Sequence, residues 1–304
     1  MNLEKGFSLL EILVSLSITL VLGAAVFHLF QQNQRVFSDQ TLITEMNQAA
    51  RAAIYQASDD IRMAGQGVPT YADSFGDAPS EETVAILSGS SATRIHFRAG
   101  LAPAATYVMA PHPAQFALGI PTVVTVADAA GLYDAVGGSP TGRFAYFWGP
   151  SSPSCWNWVR AQIHSVSPAS GSVGVTSISI GPTGAALNPM QFSDSPTMDL
   201  EEAIALFFDS STDSMRRTTA SSMSDVAHPV WAPANELIRN VTQLRFDYLD
   251  GSGSSIQPDS LINRARVARV DIRLVVRTAQ ELTNHTHPQI ALSVQTNIRS
   301  ARIR

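Results

Sequence analysis

The chain has 304 residues, of which 15% are charged, and a formal net charge of −5 at pH 7. That length suits one large domain or two small ones, and the absence of any basic stretch interleaved with aromatic residues argues against a nucleic-acid partner. Cys155 is the only cysteine in this sequence. A single cysteine cannot form an intramolecular disulfide, a CxxC redox pair or a zinc site made of several cysteines.

The first predicted element is a mostly apolar helix from Phe7 to Phe30. It is long enough to cross a hydrocarbon core of ~30 Å. Glu11 is the only residue with a fixed charge within it. Because a carboxylate in a membrane helix costs up to about 2.5–3.5 kcal/mol at the bilayer centre, such a residue is a functional candidate.

The run Lys5-Gly6-Phe7-Ser8-Leu9-Leu10-Glu11 resembles the class III signal of type IV prepilins and pseudopilins. In that family a short leader ends in Gly, the mature chain begins with Phe or Met, and Glu stands at the fifth mature position. The resemblance implies that a prepilin peptidase cuts between Gly6 and Phe7 and N-methylates Phe7. It also implies that Glu11 pairs with the N-terminal amine of a neighbouring subunit's Phe7 during assembly, which relieves two buried charges.

An ordinary secretory signal peptide is the alternative, with Leu22-Gly23-Ala24-Ala25 as a small-residue cleavage site. However, the apolar run is longer than an h-region of ~7–15 residues and continues to Phe30. A Glu inside that run would also have no use in a discarded segment. The prepilin interpretation is therefore favoured.

The helix is predicted to continue beyond the membrane, because residues 31–64 contain neither Pro nor Gly and all 17 prolines follow Gly65. Apolar residues at spacings of three and four predict one inward-facing stripe. Its members are Leu42, Ile43, Met46, Ala49, Ala50, Ala53, Ile54, Ala57, Ile61 and Ala64. Gly65-Gln66-Gly67-Val68-Pro69 predicts the helix end, which gives one rod of about 87 Å from Phe7 to Ala64.

The segment Asp60-Ile61-Arg62-Met63-Ala64-Gly65 resembles the end of the long helix in PilW-type minor pilins. We interpret Asp60 and Arg62 as a solvated helix end, since exposed charge pairs contribute little.

The remainder of the chain predicts strands. Short strand patterns occur at 93–98, 144–148 and 173–180 within a loop-rich part. Four later segments alternate apolar and polar residues: 204–208, 243–248, 268–277 and 290–299. This alternation predicts an antiparallel sheet with one buried face. The apolar stripe of the helix would pack on that face.

The expected fold class is α+β, with a long N-terminal helix, transmembrane in its first half, packed on an antiparallel sheet head of type IV pilin-like form. The late strand pair and the Arg-ending terminal strand, Asn297-Ile298-Arg299, also resemble PilW-type proteins. The expected divisions are a leader at 1–6, a transmembrane helix at 7–30, its amphipathic continuation at 31–65, a loop-rich variable β region at 66–200 and a sheet region at 201–304.

No catalytic set is visible: there is no nucleophile motif, P-loop, dinucleotide fingerprint or HExxH. His285 and His287 are interpreted as an exposed strand connection, since a metal site needs three or four converging ligands. The acids Asp247, Asp250 and Asp259 lack the spacing of a calcium loop, and Asp250-Gly251 predicts a turn. We expect no enzyme activity, cofactor or metal.

The densest aromatic cluster is interpreted as core, with a surface for a partner subunit or a glycan as the alternative. It comprises Phe144, Tyr146, Phe147, Trp148, Trp156 and Trp158.

The resemblance implies a minor pilin that takes part in assembly and priming of a type IV pilus, close to the tip. Its implied partners are other minor and major pilins, the prepilin peptidase, the inner-membrane assembly platform and the lipid bilayer. It would be a single-pass inner-membrane protein with its C-terminal head in the periplasm, and then part of the pilus at the cell surface. The alternatives are a minor pseudopilin of a type II secretion system and a secreted adhesin or glycan-binding module.

Overall fold

The computed structural model describes residues 9–69, 79–100, 105–152, 155–181 and 189–298. Helix α1, Leu9–Arg62, is 54 residues long, which corresponds to about 81 Å. Its sequence has no helix breaker, and the chain leaves it through Gly65, whose φ of 78° suits glycine. The predicted long helix and its glycine end are confirmed.

Sixteen strands and two short helices follow in the described residues. The strands are β1 Arg94–Gly100, β2 Thr106–Ala110, β3 Gln115–Phe116, β4 Pro121–Val126, β5 Phe144–Ser152, β6 Cys155–Ser167, β7 Ser172–Gly181, β8 Met190–Gln191, β9 Thr197–Asp209, β10 Ser214–Ser222, β11 Val230–Trp231, β12 Asn235–Ile238, β13 Val241–Leu249, β14 Ser255–Ile256, β15 Arg269–Arg277 and β16 Gln289–Asn297. The helices are α2, Ala129–Val136, and α3, Leu261–Arg266.

Six antiparallel strands close into a small barrel. Following the pairings around the ring gives the order β9-β2-β4-β7-β6-β5 and back to β9. The barrel interior is filled by side chains, as expected for so few strands, and Val124, Phe147, Val159, Val175 and Leu200 are completely buried there.

Strand β9 connects this barrel to the body that carries the helix. Its first half pairs with β2 and β5 of the barrel. Its second half pairs with β1 through residues 201–207 and with β10 through residues 204–209. The barrel and the helix-bearing body are therefore joined by one continuous strand.

The second body has a four-stranded sheet in the order β14-β13-β15-β16. Helix α1 packs on it through β15 and β16, and a second core lies between them. The predicted inward stripe of α1 is confirmed between Met46 and Ile61, where Ala50, Ala57 and Ile61 are completely buried. The prediction is wrong for Ala49, which is exposed.

The expectation of one sheet with one buried face is wrong for one of the four alternating segments. Residues 243–248, 269–277 and 290–297 share the four-stranded sheet, but residues 204–208 lie in β9. There both Ala205 and Leu206 are buried, because neighbouring layers cover both faces of β9. Strand β9 also crosses residue 200, where the sequence suggested a change from loops to sheet.

Candidate assembly helix and buried charge cluster

In the part of the chain that the structure describes, the head leaves the side chains of the N-terminal half of α1 uncovered. Its large apolar residues are more than half exposed, from Val14 at 52% to Leu9 at 78%. Within the described residues α1 is the one helix long and apolar enough to cross a bilayer. A helix that is apolar all round is normally buried in a membrane or in an assembly.

The hydroxyl groups of this segment are satisfied within the helix itself. Ser15 donates to the carbonyl of Ile12 at 3.0 Å, and Ser17 donates to that of Leu13 at 2.8 Å. Thr19 likewise donates to the carbonyl of Ser15 at 2.8 Å. Because each hydroxyl donates to a carbonyl of the same helix, the free-energy cost of moving these polar groups into hydrocarbon is lower than for unpaired hydroxyls.

Glu11 lies in the first turn of α1 and is exposed. A carboxylate there is favoured by the positive end of the helix dipole. Gly6 and Phe7, the predicted processing residues, lie outside the described residues. The structure therefore places Glu11 at the start of the exposed apolar helix and leaves its relation to Phe7 as a prediction.

The other end of α1 is fixed to the head by polar contacts as well as by packing. Ser58 and Thr296 share a buried hydroxyl hydrogen bond of 2.7 Å. The carboxylate of Asp60 accepts from both Nε and Nη2 of Arg217 on β10, at 2.8 and 3.3 Å. The interpretation of Asp60 as solvated is wrong, because β10 brings Arg217 to it from 157 residues away. Arg62 is half exposed, beside Asp59.

A buried charge cluster lies where the barrel meets the helix-bearing body. Glu201 of β9 accepts from Arg98 of β1 at 3.0 Å and from Arg160 of β6 at 2.8 Å. All three side chains are at most 2% exposed. Arg98 also donates to the hydroxyl of Tyr146 at 2.7 Å, and to the carbonyl of Val84. Two cations around one anion leave a net positive charge in the interior, which backbone carbonyls help to compensate.

This cluster was not found from the sequence. Arg160 is the one residue of β6 that carries a fixed charge, whereas β1 contains Arg94 as well as Arg98. The available signal was Arg160 alone, as an arginine in a long strand with no other fixed charge, since charges are rarely buried without a partner.

The predicted aromatic cluster is mostly core. Phe144, Tyr146, Phe147 and Trp158 are buried, whereas Trp148 and Trp156 are half-buried at its margin. The indole N–H of Trp148 donates to Asp199 at 2.8 Å. Burial raises the pKa of Asp199 to about 6, because the carboxylate loses water.

The histidine and aspartate candidates do not form a metal centre in the described residues, where no group of three or more His, Cys, Asp or Glu is arranged to hold an ion. His285 and His287 lie in the exposed β15–β16 connection near Glu281. Asp250 follows β13 and accepts from the backbone N–H groups of Ser252 and Ser254. The predicted turn at Asp250 is confirmed.

The fold and the exposed helix together define a class: an α+β protein with one long apolar N-terminal helix followed by an antiparallel β head, as in pilin-like folds. Residues 1–27 match the prokaryotic N-terminal methylation motif. That match supports a protein of the type IV pilin superfamily, either pilin-like or a pseudopilin. Comparisons with curated proteins and with solved structures found no match.

Proposed function

We propose that this chain is a minor pilin of a type IV pilus, similar to the PilW type, that takes part in assembly and priming near the pilus tip. The observation that carries the proposal is the continuity of two features. A methylation motif at residues 1–27 overlaps the exposed apolar first half of α1, and the same helix ends in the core of the β head.

In this proposal residues 7–30 span the inner membrane, with the head in the periplasm, before the subunit joins the pilus. The prepilin peptidase hydrolyses the bond between Gly6 and Phe7, which releases residues 1–6. It then transfers a methyl group from a sulfonium methyl donor to the new amine, which loses a proton. Residues 31–65 carry the head away from the bilayer. The partners are other pilins, this peptidase, the assembly platform and the surrounding lipid.

Glu11 provides the register for assembly. A carboxylate in hydrocarbon is costly unless it is paired. The amine of a neighbouring subunit's Phe7 supplies the opposite charge, and insertion at another depth would leave both charges unpaired. Correct insertion is therefore the position of lowest free energy.

A minor pseudopilin of a type II secretion system is the second candidate, because pseudopilins share the same N-terminal motif. The length of the head and the segment from Asp60 to Gly65 favour the pilus. Neighbouring genes for pilus subunits or for secretion-channel components would separate the two systems.

Glu11→Ala tests the assembly role, with Ser15→Ala as a matched control one turn further along the same helix. We expect both variants to lose their leader and to enter the membrane normally. Glu11→Ala should fall at least tenfold in the sheared filament fraction, as measured by immunoblotting, because the Phe7 amine loses its counter-charge. Ser15→Ala should match the wild type.

Incorporation of Glu11→Ala at the wild-type level would refute the charge-pairing role. An equal loss of Ser15→Ala would also refute it, because the effect would then belong to helix packing in general.

A further inference from the structure

Strand β16 is a long and regular sheet edge. It pairs with β15 over nine consecutive residues without a bulge, and in the described residues it has no strand on its other side. Gln289–Asn297 contains no acidic or basic residue and no proline. Natural proteins usually block such edges with lysine, proline, a bulge or a covering segment.

The backbone groups that point out of this edge can be assigned. The N–H of Ile298 donates to the carbonyl of Ala268, and the N–H of Thr278 donates to that of Pro288. In an antiparallel ladder these bonds place the even-numbered residues of β16 in the hydrogen-bonded pairs with β15. The N–H and C=O groups of Ala291, Ser293 and Gln295 therefore point away from β15, towards the open edge.

The core beside this edge is incomplete. In β15 the inward residues Ile272 and Leu274 are completely buried. Their partners across the ladder, Val294 and Leu292, are only half-buried although they pack on the same core. On α1, Tyr55 is 63% exposed and lies one turn before Ser58, which bonds Thr296 of β16.

A second copy of β16 does not fit this edge in a membrane-anchored protein. Thr283 donates its N–H to Asp39, and Thr296 further along the chain bonds Ser58 further along the helix. The segment from Thr283 through β16 therefore runs in the same direction as α1. Antiparallel pairing of two identical edges relates the copies by a two-fold axis perpendicular to the strands. That pairing would direct the two α1 helices oppositely, which excludes anchoring in one membrane.

We propose that β16 is a docking edge for an extended segment of a neighbouring pilin subunit, which adds a strand to the four-stranded sheet. The segment bonds to the outward groups of Ala291, Ser293 and Gln295. Alternate side chains of the segment face α1 and are apolar, because they cover Leu292, Val294 and Tyr55. This inference rests on the proposed function, since it requires neighbours anchored in the same orientation.

Ser293→Pro tests the docking edge, with Ser293→Ala as its control. Proline removes an N–H that points outward and leaves the bonds to β15 in place, which edge strands tolerate. We expect the full chain with Ser293→Pro to keep its thermal unfolding midpoint and its leader processing. It should fall at least tenfold in the sheared filament fraction, whereas Ser293→Ala should remain at the wild-type level.

Ala291→Lys is a second variant that guards the edge without changing the backbone, and it decides the test if Ser293→Pro fails to fold. Wild-type amounts of both edge variants in filaments would overturn the docking edge and leave the subunit proposal intact. A wild-type chain that keeps residues 1–6 and is missing from filaments would overturn both.

Discussion

Asp199 is a buried carboxylate at the point where four segments of the chain meet. It is 8% exposed and receives the indole N–H of Trp148. The backbone at Gly67 and Gly100 comes so close that a Cβ at Gly67 would lie 3.0 Å from its carboxyl group. These glycines permit the close approach, and the burial raises the pKa of Asp199 to about 6.

We therefore expect Asp199 to make the protein less stable as pH rises from about 4 to 6. The unfolded carboxyl, at its ordinary pKa of 3.8, loses its proton first. The free energy of unfolding then falls until the folded group also ionises near pH 6, a loss of up to about 3 kcal/mol. Asp199→Asn, unfolded by denaturant in detergent micelles, should lose this slope and be more stable than wild type at pH 7.

Asp194, an exposed acid in the preceding loop, provides the control as Asp194→Asn, which should keep the slope. If the difference in the free energy of unfolding between Asp199→Asn and wild type stayed constant from pH 4 to 7, the assignment of a raised pKa to Asp199 would be contradicted.

At the residue scale, the sequence predicted the role of a side chain correctly where its hydrogen-bond partners are close in the chain. The turn at Asp250 is one example, because its acceptor serves residues two and four positions later. Asp60 was misjudged because Arg217 comes from a distant strand. Glu201 was missed because its two arginines come from β1 and β6, far from β9 in sequence.

At the scale of elements, the helix was predictable and the barrel was not. The stripe of α1 follows from a local period that one segment reveals by itself. Barrel closure depends on β9 pairing with both β2 and β5, and such non-local pairing leaves no periodic signal in any single strand. The alternation of residues 204–208 was misleading because β9 is covered on both faces.

The buried cluster is expected to hold these elements together. Glu201→Gln would leave the Arg98 and Arg160 guanidinium groups without their counter-charge, so we expect a loss of about 3–5 kcal/mol in the free energy of unfolding. Glu202→Gln is the matched control, because its side chain is only half-buried, and we expect the free energy of unfolding to change by no more than about 1 kcal/mol. Denaturant unfolding of both variants measures the difference.

Similar losses for the two variants would contradict this role of Glu201, because they would show that the cluster contributes no more than an ordinary peripheral charge.

At the scale of the whole molecule, α1 has two different environments along one continuous rod. Its first half is exposed and apolar, and its second half belongs to the core shared with β13, β15 and β16. A rigid helix with one end in the head and the other free to enter a bilayer transmits the position of Glu11 to the head. In the proposed pilus, the register set in the membrane therefore also fixes where β16 stands beside a neighbouring subunit.

The mass of the mature N-terminal peptide tests the central claim most directly. Protein purified from cells with a working prepilin peptidase should begin at Phe7 and carry one additional methyl group on its amine, with residues 1–6 absent. A chain that retains residues 1–6, or that begins near Val26 after ordinary signal cleavage, would contradict the claim.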